Sequence, residues 1–254
     1  MELFDSHSHY NDEYFDENRE EVIKMVYDQD VTKTVCIGYN VEQSKKAIEI
    51  AKEHDFIYAT CGISPNDSED FNEDNLKELE RIAKDDKVVA IGEIGLDYYW
   101  SKDNKELQKE YFIKQINIAN KLNKPITIHT RDAAIDTIEI LKAHPVNKKG
   151  IFHCCPLNQE LIKEGLKLGY YISFSGVITF KNAKPEECIK LVPLDKLLIE
   201  TDSPYLSPEP FRGRKNDPSK VRYVAMKIAE IQGIPLEEVA KITYKNALDI
   251  YNIK

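Results

Sequence analysis

The sequence of 254 residues predicts an α/β fold, a single, slightly distorted (β/α)8 TIM barrel spanning residues 1–254. Eight short apolar runs follow one another, segments of helical periodicity separate them, and no linker or low-complexity tract divides the chain. An open, doubly wound sheet is the alternative, because sequence patterns alone do not show that a sheet closes.

The predicted strands are short and mostly apolar along their whole length. Such runs, rich in β-branched residues, are typical of parallel strands that are buried on both faces. In chain order they cover residues 3–7, 34–38, 57–63, 88–94, 125–130, 150–154, 169–174 and 196–201.

Helical periodicity marks the segments between and after these runs. In residues 20–28, for example, Val22, Met25 and Val26 follow the i, i+3, i+4 spacing of one helix face. Pro235 suits the first turn of the last helix. The helices predicted in this way cover residues 20–28, 44–54, 107–122, 219–232 and 236–251.

Composition excludes several classes of protein. Apolar residues make up 42% of the chain, enough for a packed core, and the net charge of −9 argues against a polycation that coats nucleic acid. No apolar run approaches the roughly 20 residues of a membrane span. The odd count of five cysteines, without a C-x-x-C pair, argues against a disulfide framework. With no signal peptide expected from the acidic N-terminal segment, we predict a cytoplasmic protein without a membrane partner.

Histidines and carboxylates cluster where the predicted strands end. On a barrel, the C-terminal ends of the strands form one face, and this face carries the chemistry. Four of the chain's six histidines lie there. The set, from the first, fourth, fifth, sixth and eighth runs, comprises His7, His9, Glu93, His129, His153 and Asp202.

These residue types predict a metal site. His7 and His9 are two residues apart, so both side chains leave an extended segment on the same side. Imidazole and carboxylate ligands together suit Zn, Mn, Ni or Fe. Four histidines and two acids are more ligands than one tetrahedral ion takes, but they fit two ions that share a carboxylate. Such a pair of ions can activate water in hydrolysis. Taken singly, each residue has a structural explanation; Asp202, before Ser-Pro, could cap a turn.

Basic and aromatic residues follow the same strand ends. Phosphate often binds after the last strands of such barrels, so we expect four basic residues to contact substrate: Arg131, Lys181, Arg212 and Arg214. Surface charge is the alternative explanation for each of them. Four aromatic residues either stack on bases or simply pack: Tyr98, Tyr99, Trp100 and Tyr205.

Several motifs together resemble the TatD-type metal-dependent deoxyribonucleases of the amidohydrolase-like barrel superfamily. They include Asp-Ser-His-Ser-His at 5–9, Gly-Glu-Ile-Gly-Leu-Asp-Tyr at 92–98, His-Thr-Arg at 129–131, Ile-Ser-Phe-Ser-Gly at 172–176, Glu-Thr-Asp-Ser-Pro-Tyr-Leu at 200–206 and Arg-Gly-Arg-Lys-Asn-Asp-Pro at 212–218. The resemblance runs from residue 3 to the C-terminus.

The resemblance implies two divalent ions, Zn, Mn or Mg. His7, His9 and Asp202 would hold one ion, His129 and His153 the other, and Glu93 would bridge them. Asp202 would also take a proton from the attacking water. The implied substrate is DNA, single-stranded or at 3′ ends, cut by a 3′-to-5′ exonuclease. A monomer without an obligate protein partner is the default expectation.

Two departures from the family pattern bear on the substrate. The family commonly has Gly-x-His-Pro-His after the third strand, and here Ser64 and Asn66 replace both histidines. After His153 the chain has Cys154 and Cys155 followed by Pro-Leu, where the family continues Cys-Phe-Ser-Gly. A hydrolase of a carboxylic ester or amide (an aminoacyl-tRNA ester, a lactone or a cyclic amide) is therefore the alternative. A partner-binding barrel with structural metals is a third hypothesis.

Overall fold

The computed structural model describes residues 1–100 and 102–254 and contains an eight-stranded parallel sheet. The strands neighbour one another in chain order, as in a (β/α)8 barrel, so the predicted fold class is confirmed. They are β1 (Leu3–Ser8), β2 (Val31–Cys36), β3 (Ile57–Cys61), β4 (Val88–Asp97), β5 (Ile126–Arg131), β6 (Gly150–Phe152), β7 (Tyr171–Phe174) and β8 (Leu197–Ile199).

The first strand meets the chain that follows the last one, which closes the ring. Ser8 and Ser203 form a parallel bridge. The Asp202 N–H donates to the His7 carbonyl at 2.9 Å, and the His9 N–H donates to the Ser203 carbonyl at 2.8 Å. These bonds exclude the doubly wound alternative, whose sheet is open. They also bring the two ends of the predicted ligand set together.

Nine α-helices lie among the described residues: α1 (Arg19–Asp28), α2 (Val41–Glu53), α3 (Glu73–Ile82), α4 (Lys105–Leu122), α5 (Ala134–Ala143), α6 (Gln159–Lys167), α7 (Glu186–Leu191), α8 (Val221–Gln232) and α9 (Leu236–Tyr251). All five predicted helices are present, although 219–220 belong to a 3-10 turn before α8. Four helices, α3, α5, α6 and α7, were not predicted, and α3 was missed despite its buried Leu76, Leu79 and Ile82. No helix in the described ranges is long and apolar enough to cross a membrane.

Seven of the eight strand ends differ from the prediction by one to three residues, and three of them bear on the site. The strands β6 and β8 end before His153 and Asp202, so both side chains stand on the loops that follow. The strand β4 continues to Asp97, so Glu93 lies within the strand rather than at its end. The extension is possible because β4 stays paired with β5 as far as Asp97 and Arg131.

An irregularity in β1 directs its histidines into the barrel. Phe4 belongs to the apolar cluster of the barrel interior, and simple alternation would put residues 6 and 8 on the same side as Phe4. Between Asp5 and Ser8, however, three residue steps of β1 match two steps of β2. The extra residue shifts the alternation, as a β-bulge does, so that the His7 and His9 rings face the interior.

The close pairing of β4 and β5 depends on a glycine. Gly95 has a φ of +141°, and a Cβ there would lie 2.0 Å from the His129 carbonyl oxygen. Because Gly95 pairs with His129, a side chain at this position would push apart the strands that carry Glu93 and His129.

We expect Gly95→Ala to lower the free energy of unfolding by about 3 kcal/mol or more, because backbone rather than a flexible side chain must move. Gly213→Ala is the matched control, since Gly213 has a φ of +82° but a Cβ there would meet no atom within 4 Å. The control should lose about 1 kcal/mol from backbone strain alone. Denaturant unfolding measures both, and equal losses would contradict this explanation.

Candidate metal centre

The six predicted ligand residues come together at the C-terminal face of the barrel. All six have a nitrogen or oxygen within 4 Å of another member's donor atom. Most are nearly inaccessible to solvent; Asp202 and His129 are the more open, with 15% and 18% of the side chain exposed. The donors form two groups, which we call the first and the second cluster.

The first cluster consists of His7, His9 and Asp202. The Nε2 atoms of the two histidines lie 3.3 Å apart. The Asp202 Oδ1 atom lies 3.5 Å from the His7 Nε2 and 3.3 Å from the His9 Nε2. All three donor atoms therefore face one point.

The second cluster consists of His129 and His153. The His129 Nδ1 and the His153 Nε2 lie 3.2 Å apart. Both face the Oε1 atom of Glu93, at 3.1 Å and 3.8 Å respectively.

Glu93 lies between the two clusters. Its Oε1 faces the second cluster, while its Oε2 lies 3.4 Å from the His7 Nε2 in the first. One carboxylate thus offers one oxygen to each side, which is the arrangement of a bridging ligand.

The donor set fits divalent metal ions. Two ligands of a tetrahedral ion with bonds of about 2.0–2.1 Å lie about 3.3 Å apart. The closest donor pairs in the two clusters are 3.1–3.5 Å apart. Mixed imidazole and carboxylate donors are also the ligands that Zn²⁺ and Mn²⁺ accept.

Two acids that were not among the predicted site residues contact the histidine ring nitrogens that face away from the second cluster. The Asp97 Oδ2 lies 2.9 Å from the His129 Nε2, and the Glu200 Oε1 lies 3.4 Å from the His153 Nδ1. Both carboxylates are fully buried. Carboxylates that bind the far nitrogen of a ligand histidine fix its ring and raise its basicity. The signal available in the sequence was a second carboxylate in each of the motifs that carry Glu93 and Asp202.

The charges around the metal centre keep the Glu93 carboxylate ionised. Burial alone would raise the pKa of Glu93, but the nearby imidazoles of His153, His129 and His7 hold it well below its usual range. Burial opposes charge on His129 too, yet hydrogen bonds to Asp97 and Glu93 raise its pKa to about 10. A metal that binds the His129 Nδ1 must therefore displace a proton.

The sequence offered two explanations for Asp202, a residue of a turn or a member of the metal site, and in the structure it is both part of a turn and close to the histidines. Its φ of +56° lies in the left-handed region, and its carbonyl accepts the Tyr205 N–H at 2.9 Å. The same turn directs its carboxylate towards His7 and His9.

The four basic residues predicted to contact substrate are exposed on loops or strand ends of the same face. The Arg131 guanidinium lies 3.9 Å from the Tyr99 ring centre, and that of Arg212 lies 3.9 Å from the Phe180 ring centre. Among the described residues, no carboxylate lies within 4.0 Å of the side-chain nitrogens of Arg131, Lys181, Arg212 or Arg214. Their contact with substrate stays a prediction.

The departures from the family pattern lie beside the centre. The Ser64 hydroxyl accepts the Asn66 N–H at 3.3 Å, and the Asn66 amide donates to the Asp97 Oδ2 at 3.4 Å. Asn66 is thus one contact away from His129. The Cys154 N–H donates to the Glu200 Oε1 at 2.5 Å, so the loop after His153 helps to hold that carboxylate.

Comparisons with known proteins agree with this architecture. A family model described as "TatD related DNase" matches residues 4–252. The chain is 46% identical to the uncharacterized metal-dependent hydrolase YabD of Bacillus subtilis (strain 168), over 99% of each chain. It is 38% identical to the uncharacterized metal-dependent hydrolase YcfH of Escherichia coli (strain K12), over 100% of this chain and 97% of that one. The crystal structure of the TatD homologue YJJV of Escherichia coli K12 superposes with a TM-score of 0.94 at 26% identity, covering 99% of this chain and 98% of that one.

We expect Asp97→Asn to weaken metal binding by about 10- to 100-fold, because an amide cannot stabilise the His129 ring as a carboxylate does. The amide oxygen can still accept the N–H bonds of Tyr99 and Trp100 that Asp97 accepts now. Zn²⁺ and Mn²⁺ titrations by calorimetry measure the effect.

Asp136→Asn is the matched control for this variant. Asp136 accepts the Tyr98 hydroxyl bond and an ion pair from Lys109, but its carboxylate faces neither cluster. The control should bind metal as the wild type does. Equal affinity in Asp97→Asn and the wild type would show that Asp97 does not support a ligand.

Proposed function

Since the chain belongs to the TatD-related DNase family and is a metal-dependent hydrolase, we propose that it hydrolyses phosphodiester bonds in DNA. The observation that carries the proposal is the position of Glu93 between two donor clusters. The preferred substrate would be single-stranded DNA or a 3′ end, degraded from 3′ to 5′, as the family resemblance implies.

Two divalent ions, Zn, Mn or Mg, would occupy the centre. His7, His9 and Asp202 would hold the first, His129 and His153 the second, and Glu93 would contact both. Bound there, such a pair supplies Lewis-acid stabilisation of the attacking and leaving oxygens.

Asp202 is the residue we assign to proton transfer. Burial alone would raise its pKa, but the hydrogen bond from His9 and the nearby His7 and His153 lower it, so the carboxylate is ionised and able to accept a proton at neutral pH. With 15% of its side chain exposed, it is also more open to an incoming water than Glu93 is, at 9%.

The distribution of ion pairs supports phosphate as the substrate group. Most lysines on the described helices are paired with carboxylates; the ammonium nitrogens of Lys114, Lys121 and Lys142 lie 2.5–2.6 Å from a partner oxygen. The basic residues near the centre have no such partner in the described ranges. Arginine binds phosphate through charge-assisted hydrogen bonds, so Arg131, Arg212 and Arg214 are suited to orient the phosphodiester, with Lys181 adding charge.

The second candidate function is hydrolysis of a carboxylic ester or amide at the same centre, and one observation favours its ester form. Asn66, in place of a family histidine, donates to the Asp97 carboxylate that also contacts His129. A neutral amide cannot protonate a leaving group as an imidazolium can. An ester whose alkoxide leaves readily depends least on such a proton, so the observation favours the ester; an amide, whose amine leaves only once it is protonated, is not favoured by it.

A time course on 5′-labelled single-stranded DNA tests the proposal. With Mg²⁺ or Mn²⁺ the wild type should produce a ladder that shortens from the 3′ end, and EDTA should abolish it because the ions are required. Asp202→Asn should slow turnover by about 100-fold or more. The asparagine tolerates the left-handed backbone of this position, so the turn should persist.

Asp136→Asn serves again as the control and should cut DNA at the wild-type rate. Two results would contradict the proposal: DNA left intact by metal-loaded wild type, or unchanged turnover in Asp202→Asn. If DNA stays intact, faster hydrolysis of an ester or lactone in a substrate panel would establish the second candidate function.

A further inference from the structure

Two exposed aromatic side chains stand on the turn that follows β4. Tyr99 is 49% exposed and Trp100 is 68% exposed, and their rings meet edge to face with centres 4.9 Å apart. Of the other two aromatic residues that the sequence singled out, Tyr98 is buried, and Tyr205 is 48% exposed but has its hydroxyl bonded to Asp12. Tyr99 and Trp100 therefore leave apolar faces open to solvent, a feature typical of binding sites.

A basic side chain lies against these two rings. The Arg131 guanidinium carbon is 3.9 Å from the Tyr99 ring centre and 5.5 Å from that of Trp100. Arg131 is exposed, and within the described part of the chain no carboxylate neutralises it. We call Tyr99, Trp100 and Arg131 the aromatic rim.

The aromatic rim is fixed to the metal centre through one carboxylate. The Asp97 Oδ1 accepts the N–H groups of Tyr99 and Trp100 at 2.9 Å and 3.0 Å. The Asp97 Oδ2 contacts the His129 Nε2 at 2.9 Å. Arg131 follows His129 by two residues on β5, so both side chains leave the strand on the same side. A ligand held by the rim would thus have a defined position relative to the donors.

We propose that the aromatic rim binds one unpaired nucleobase of the substrate strand by stacking, with the Arg131 guanidinium on the adjoining phosphate. The proposal rests on the proposed function and extends it to the choice of substrate. Aromatic rings stack on any base and are therefore tolerant of sequence. In a duplex the faces of interior bases are already covered by their neighbours, so the rim selects single strands and frayed ends.

The chain's single tryptophan reports on this contact directly. The metal-loaded wild type is mixed in a stopped-flow fluorimeter with oligothymidylate, or with an abasic deoxyribose-phosphate oligomer of equal length and charge. Stacking of thymine on Trp100 should quench the fluorescence before turnover, whereas the abasic oligomer should leave it nearly unchanged. Equal responses to the two oligomers, or no response to either, would overturn the proposal.

Variants separate stacking from catalysis. Trp100→Ala and Tyr99→Ala should each raise the KM for single-stranded DNA by about 10-fold, with kcat nearly unchanged, because a stacked base is lost. Trp100→Phe should restore most of the affinity. Tyr27→Ala is the matched control, since Tyr27 is 50% exposed but lies at the end of α1, just before β2. Melting temperature and metal content verify that each variant is folded.

The outcomes distinguish this proposal from the proposed function. If the wild type cleaves DNA but Trp100→Ala has the KM of the wild type, the rim proposal fails and the nuclease stands. If oligothymidylate quenches Trp100 but DNA stays intact, the nuclease fails and the rim stands as a nucleic-acid site. If neither is seen, both fail.

Discussion

The contact between Glu93 and the two histidine clusters organises the whole metal centre. A buried carboxylate is costly unless cations or hydrogen-bond donors surround it. Here its oxygens face His7 on one side and His129 on the other, within 3.4 Å. The donor lone pairs converge at separations that two divalent ions would satisfy. Metal binding therefore depends on the shape of this face of the barrel.

Closure of the barrel makes that contact possible. The donors come from chain segments that are far apart in sequence, and the bonds of His7 and His9 to the chain after β8 fix the first cluster. Asp97 makes two kinds of contact. One of its oxygens contacts His129 of the second cluster, and the other accepts the N–H groups of Tyr99 and Trp100 in the turn outside it. One carboxylate therefore connects the metal donors to the surface that would meet substrate.

Much of this arrangement could be predicted from the sequence because barrel geometry maps strand ends onto one face. Eight apolar runs were enough for the fold, and polar residues ending those runs were enough for the six candidate donors. The bulge that directs His7 inwards could not be predicted, since it is a property of the pairing between β1 and β2. The supporting contact of Asp97 depends on β4 extending past Glu93, which the pairing of Gly95 with β5 decides. Among the described residues Lys114 has a carboxylate partner and Arg131 has none, a difference that depends on neighbours distant in sequence.

An anomalous diffraction map of crystals soaked in Mn²⁺ would show directly whether Glu93 joins two metal ions. We expect two anomalous peaks roughly 3.5–4 Å apart. One should lie against His7, His9 and Asp202 and the other against His129 and His153, with Glu93 in contact with both. A single peak that leaves one cluster without metal, or two peaks that Glu93 does not join, would contradict this expectation.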